Sequence, residues 1–294
     1  MRRLLSLVLV AACGGGSLDV DGDCGDATDG SSADAAPETD FAALPWTEIG
    51  LGVAYKDSGN PRGSDVFIGY AGFGVDDAGA RNWVTALYAA ALRDSRVRHV
   101  FAVRGPASVQ YTEKEIQNSL LIATMLPALA PDSTITIAAH SSGAWVACEL
   151  LSQLYEQGLD PDDASDGRIA YFDLDGLYGC LDETIAGHLR ALHFVYAASG
   201  TNTSLNADDM RAGAGVYGVE PLAYDASASG CQPGASFCLH VSLVNTRPHD
   251  PSTGSPADYA DFDGRPVNIW YLDAAGDQRS AAGKSADAPR ISSR

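Results

Sequence analysis

From Val66 onward, short runs of β-branched and aromatic residues alternate with stretches in which apolar residues recur every three or four positions. Continuous apolar runs bounded by polar or turn residues read as buried strands, and the longer periodic stretches read as helices. Strands are predicted at Val66 to Tyr70, Val97 to Val103, Ile135 to Ala139, Ile169 to Phe172, Leu192 to Ala197, Leu239 to Val244 and Val267 to Tyr271. A helix over Ala78 to Arg93 would turn Trp83, Leu87 and Ala90 to one side. A second begins at Thr112, whose hydroxyl can cap it while Glu115 reaches back, and ends near Pro127. A third runs from Gly143 to a stop at Gly158, with Ala144, Ala147, Leu151 and Leu154 in one stripe. Strands alternating with helices predict an α/β architecture: a doubly wound, mostly parallel sheet with helices on both faces. There is no internal repeat.

The amino terminus has a different pattern. Met1-Arg2-Arg3 precedes the apolar run Leu4 to Ala12, which is too short to span a bilayer and has the layout of an export signal. Val10-Ala11-Ala12-Cys13 resembles the lipobox of bacterial lipoproteins, which implies cleavage before Cys13 and lipidation of its thiol. Gly14 then follows the cysteine in place of the aspartate that retains such proteins at the inner membrane, so the resemblance implies the outer membrane or cell surface. Residues 13–40 are small and acidic, with almost nothing large and apolar to bury, and read as a tether. Within them "DVDGDCGDATDG" is similar to a calcium loop, but its glycine comes one place late and Gly30 stands where the bidentate Glu belongs. The expected organisation is a signal over 1–12, a lipid-anchored tether over 13–40 and one folded domain over 41–294.

Composition narrows the function. Acidic residues outnumber basic ones 38 to 19, and a net charge of −19 repels nucleic-acid phosphates and anionic headgroups. Nucleic acid is therefore not an expected partner, and no protein partner is implied.

Candidate chemistry lies in "ITIAAHSSGAWVACELL", where Ser141 falls between a predicted strand and a predicted helix, with Ala139 before it and Gly143 after it. A serine on such a turn projects above the sheet, and the start of the following helix offers amide hydrogens to a developing oxyanion. The stretch resembles the nucleophile elbow of the α/β-hydrolase superfamily, above all its lipases and esterases, in which His often precedes Ser. Here Ala139 replaces the first motif glycine. Upstream, "VFIGYAGFGV" is similar to the superfamily's oxyanion loop, with Ala71 in place of its histidine. The resemblance implies that the amides of Phe73 and Ser142 bind the oxyanion.

A serine hydroxyl needs a base, and in this superfamily the order along the chain is Ser, acid, His. His99 and His140 precede Ser141, and His140 reads as a packed, hydrogen-bonded core residue. His188 falls in a predicted helix, and His193 and His240 fall within predicted strands. His249, in the loop "NTRPHDPSTG" just after the predicted strand Leu239 to Val244, is where the family places its base. For the acid, "GRIAYFDLDG" carries Asp173 and Asp175 at the end of a strand similar to the one that bears the aspartate of pancreatic-type lipases. Asp208 and Asp209 come later, in a segment that reads as loop, and are the weaker choice.

Cys148, Cys180, Cys231 and Cys238 allow three pairings, of which Cys231 with Cys238 is favoured by proximity. Their spacing does not suit zinc, so no metal site is expected. The whole predicts an exported, lipid-anchored serine hydrolase that cleaves a small-molecule or lipid carboxylic ester through a Ser-His-Asp triad, without a cofactor. The stretch from Asn202 to Ser236 is a candidate lid or cap. A surface lipoprotein that binds a ligand and has lost activity, and a serine peptidase built on the same residues, are the alternatives.

Overall fold

The computed structural model describes residues 40–107, 113–129, 133–158, 167–259 and 266–275. Cys13, Cys24, the acidic stretch with its calcium-loop likeness and the capping residue Thr112 lie outside these residues.

The order of elements is β1 (Thr47–Gly50), β2 (Val53–Asp57), β3 (Asp65–Tyr70), α1 (Asp77–Leu87), β4 (Val97–Val103), α2 (Glu113–Leu129), β5 (Ile135–His140), α3 (Gly143–Glu156), β6 (Ile169–Leu174), α4 (Glu183–His188), β7 (Ala191–Ser199), β8 (Asn202–Thr203), α5 (Ala207–Tyr217), β9 (Leu222–Asp225) and α6 (Ser236–Val241). The nine strands form one sheet in the order β1-β2-β4-β3-β5-β6-β7-β8, with β9 also pairing with β7. Pairing is parallel from β4 through β7 and between β7 and β9, while β1, β2 and β8 join antiparallel. The doubly wound, mostly parallel architecture read from the sequence is the one observed.

Alternation along the strands feeds two cores. Ile68, Tyr70, Ile137 and Tyr171 pack with Ile122 of α2, Leu150 of α3 and Met210 of α5 on one face. Phe67, Val100 and Phe172 pack with Trp83 and Leu87 of α1 and with Leu239 and Val241 of α6 on the other. Because the central strands are covered on both sides, they read as mostly apolar runs, such as Ile169 to Phe172 in β6.

Several elements differ from expectation. The first helix changes after Leu87 into a wider π turn over Tyr88–Leu92. Pro127 sits inside α2, which runs on to Leu129. The segment Leu239 to Val244 is not a strand: it forms the end of α6 and the turn that follows. Val267 makes one isolated bridge to Asn245, and residues 270–275 are helical. Asn202 to Ser236 does not form a separate cap: Met210 and Ala214 of α5 are buried in the first core, and β9 extends the sheet. Asp208 and Asp209 stand in the first turn of α5, not in a loop.

Candidate active site

The parallel strands β5 and β6 end at the same edge, with Ala139 opposite Asp173 and His140 opposite Leu174. The Ser141 amide donates to the Leu174 carbonyl at 3.0 Å, extending the ladder by one residue. The chain then reverses: Ser141 has φ +56°, a left-handed conformation that a residue with a Cβ adopts only at a cost of about 1–2 kcal/mol. Ser142 caps α3 from the next position, where amides have no carbonyl behind them in the helix. The neighbouring backbone closes tightly on this turn. A Cβ at Gly143 would lie 2.5 Å from the Ala71 carbonyl oxygen, and one at Gly72 would lie 3.0 Å from Ser141 Cβ. The loop after β3, which carries Phe73, is thus held against the serine turn. Ala71 and Ala139, the two departures from the family motif, are fully buried, and Ser141 keeps partial exposure.

Asp175 follows β6 and is a second non-glycine residue in the left-handed region, at φ +50°. Its side chain is fully buried and fully partnered. Oδ1 accepts from Ser204 Oγ at 2.6 Å, and Oδ2 accepts from the Asn206 amide at 3.2 Å and from His240 Nδ1 at 2.6 Å. Asn206 Nδ2 also donates to the Asp175 carbonyl at 2.7 Å. Since the carboxylate accepts, Nδ1 of His240 carries the proton and Nε2 keeps the lone pair, the arrangement a general base requires.

Asp173, the other candidate acid, is placed differently. It faces the first core, 1% exposed, and accepts the Gly176 amide at 2.8 Å through Oδ1. Burial, augmented by the charges of Asp175 and Asp209, pushes its pKa up to about 8. The upward shift favours its protonated form near neutral pH, beside the aspartate that bonds the His240 ring.

The structure does not bring His249 to either aspartate. Its amide donates to Asp258 Oδ1, and its Nε2 lies 3.9 Å from that same carboxylate. The histidine on Asp175 is His240. The expectation of His249 followed from taking Leu239 to Val244 as a strand; because that segment is helical, the imidazole that meets the acid comes from within it. Of the others, His140 is buried and bonded to the His240 carbonyl at 3.0 Å, His193 stacks on Phe172, His188 contacts the Thr184 carbonyl, and His99 pairs with the Tyr55 hydroxyl.

Both cysteine pairs are closed, Cys231 with Cys238 as expected and Cys148 with Cys180 besides. Among the described residues, no group of three or more His, Cys, Asp or Glu is arranged to hold a metal ion.

No family model and no curated protein matches the chain. Among solved structures it is similar to an α/β serine hydrolase without a lid from Xanthomonas campestris, at 15% identity, over 59% of this chain and 76% of that one, with a TM-score of 0.40. It is also similar to an esterase/lipase from an uncultured bacterium, at 12% identity, over 67% and 81% of the two chains, with a TM-score of 0.39. A third is dipeptidyl peptidase 4 of Porphyromonas gingivalis, at 12% identity, over 59% and 29%, with a TM-score of 0.34. The fold is assigned on the chain's own topology. A mostly parallel sheet with helices on both faces and a left-handed serine between β5 and α3 make this the α/β-hydrolase fold.

Sequence reasoning missed Ser204 and Asn206, the two residues that complete the Asp175 carboxylate. Their signal was present in "TNTSLN", where hydroxyl and amide side chains crowd a turn beyond β7. Such residues bond their own backbone in most turns, and pattern alone does not reveal a distant carboxylate.

Proposed function

We propose that this chain is a serine hydrolase that cleaves a carboxylic ester by acyl transfer, with Ser141 as nucleophile, His240 as base and Asp175 as the carboxylate that orients it. The observation that carries the reading is the buried 2.6 Å pair of Asp175 and His240 at the sheet edge where Ser141 adopts its left-handed turn. In the reaction, His240 Nε2 takes the Ser141 proton as Oγ attacks the substrate carbonyl. The tetrahedral oxyanion is met by the amides of Phe73 and Ser142. Collapse expels the alcohol, protonated by His240, and leaves an acyl-serine that water hydrolyses by the same proton route.

The surroundings favour an ester with an apolar group. Phe237 stacks on the His240 ring at 5.5 Å between centroids, Leu205 lies between the two residues that bond Asp175, and Phe73 follows the glycine that abuts Ser141. All three are large, apolar and substantially exposed. Export and anchoring through Cys13 complete the proposal; two disulfides accord with an oxidising compartment. Among the described residues, no helix is long and apolar enough to cross a membrane.

The test is labelling with a fluorophosphonate and turnover of a p-nitrophenyl ester. Ser141→Ala should abolish labelling and lower kcat by on the order of a millionfold, and His240→Ala should cost nearly as much, because triad members act as a unit. Asp175→Asn should lose about ten-thousandfold. His249→Ala should keep wild-type turnover. Folded wild-type protein that neither labels nor turns over an ester would favour a binding role on the same fold.

A further inference from the structure

The residue before the serine makes a contact that the proposed reaction does not use. His140 Nε2 lies 3.0 Å from the backbone carbonyl oxygen of His240. A carbonyl only accepts, so Nε2 carries the proton, and Nδ1 is left to accept from the hydroxyl of Tyr259, which meets it. Burial, together with the adjacent His240 ring, holds the His140 pKa well below the usual histidine value, in accord with a neutral ring of fixed tautomer. Tyr259 is itself fixed, edge-on to Trp83 of α1 at 5.9 Å. Its neighbour Asp258 is fully buried and accepts the backbone amides of His249 and Ser255, main-chain bonds that do not depend on the His249 side chain.

α6 has six residues, too few to persist without outside contacts, and it carries His240 one residue from its end. Within its own turn the His240 carbonyl accepts from the Leu243 amide at 3.4 Å, a longer contact than the one from His140. One peptide bond joins His140 to Ser141, and the two imidazole rings lie 4.3 Å apart. We infer that His140 is a positioning residue that locks the backbone of His240 to the serine turn, with Tyr259 setting the tautomer that makes the lock. The inference rests on the reading of Ser141, His240 and Asp175 given above. It makes the nucleophile and its base move as one piece although they are distant in sequence.

The experiment compares wild type with His140→Leu, which keeps bulk and loses both bonds, and His140→Gln, whose amide nitrogen can still donate to the carbonyl. Two readouts are taken on proteins shown folded by circular dichroism: ester kinetics, and the low-field proton NMR signal of His240 Nδ1–H in its bond to Asp175. For His140→Leu, kcat should fall roughly 10- to 100-fold with KM unchanged, because an error near 1 Å in the base acts on chemistry rather than on binding. The Nδ1 proton signal should shift or vanish into exchange. His140→Gln should recover most of both. A folded His140→Leu with wild-type kcat and an unmoved proton signal would overturn the inference, and so would a Gln variant as impaired as Leu. If His140→Leu does not fold, His140→Asn, too short to reach the carbonyl, takes its place against Gln with the same expected order. If the wild type hydrolyses no ester, the functional reading fails by itself, and the NMR comparison still decides whether His140 holds His240.

Discussion

Two aspartates separated by one residue differ in their partners. Asp175 receives three donors on two oxygens in a buried place. Asp173 is equally buried and has the Gly176 amide on one oxygen, which leaves its desolvation dominant. Its raised pKa makes a prediction about stability. The folded chain holds this proton up to about pH 8, whereas an unfolded aspartate releases it near pH 4, so between these values folding binds a proton and stability falls as pH rises. Asp173→Asn, a neutral near-isostere, removes that slope: the variant should gain on wild type in thermal midpoint from pH 5 to pH 8, and its rate on a p-nitrophenyl ester should match wild type's. Parallel stability curves for the two proteins would show that the folded chain does not retain the Asp173 proton. From sequence the pair was legible only as a pair. Both aspartates stand at a strand end, and what separates them is the arrival of Ser204, Asn206 and His240 from more than twenty-five residues away.

At the scale of elements, the strands and helices that build the serine turn were legible because each is long enough to declare its period. Ile135–His140 is β-branched or apolar up to the histidine, and Gly143–Glu156 has a clear helical stripe. Leu239 to Val244 was not legible, for a physical reason. Leu239, Val241 and Leu243 alternate with His240 and Ser242, which is the period of a strand, yet the polar positions are buried as well, so the alternation marks no solvent face and misreads a helical turn. The histidine that meets Asp175 therefore stands nine residues before the one the sequence pattern pointed to. The junction of β5 and α3 yields its own test. Gly143→Ala places a Cβ 2.5 Å from the Ala71 carbonyl and 2.9 Å from the Tyr70 carbonyl, both backbone atoms. It should cost about 1–3 kcal/mol in stability and push the Phe73 loop off the serine, with a disproportionate loss of kcat. Gly215 in α5 has open space around its Cβ direction, and Gly215→Ala should stabilise by about 0.4–1 kcal/mol without touching activity. A Gly143→Ala denaturant midpoint no lower than wild type's would contradict the close approach at Gly143, and a lowered midpoint for Gly215→Ala would contradict the open space there.

At the scale of the whole chain, the two disulfides do different work because they sit in different surroundings. Cys148–Cys180 spans 32 residues and joins α3 to the turn after β6, within a core that already packs both. Cys231–Cys238 spans 7 residues and ends two positions before His240, in a helix that depends on outside contacts. Constraint of the unfolded chain grows with the loop closed, giving about 3.7 kcal/mol for the longer loop and about 2.5 kcal/mol for the shorter. Stability and activity should therefore separate. Replacing Cys148 and Cys180 by Ser should lower the thermal midpoint more, yet leave turnover near wild type at a temperature where the variant is folded. Replacing Cys231 and Cys238 by Ser should lower the midpoint less and kcat more, since it frees the segment that carries His240. Thermal midpoints and kcat at 20 °C, a temperature chosen well below both transitions, decide the matter. If activity instead follows stability in both variants, the shorter disulfide is only a staple, and His240 is held in place by Asp175 and His140 alone.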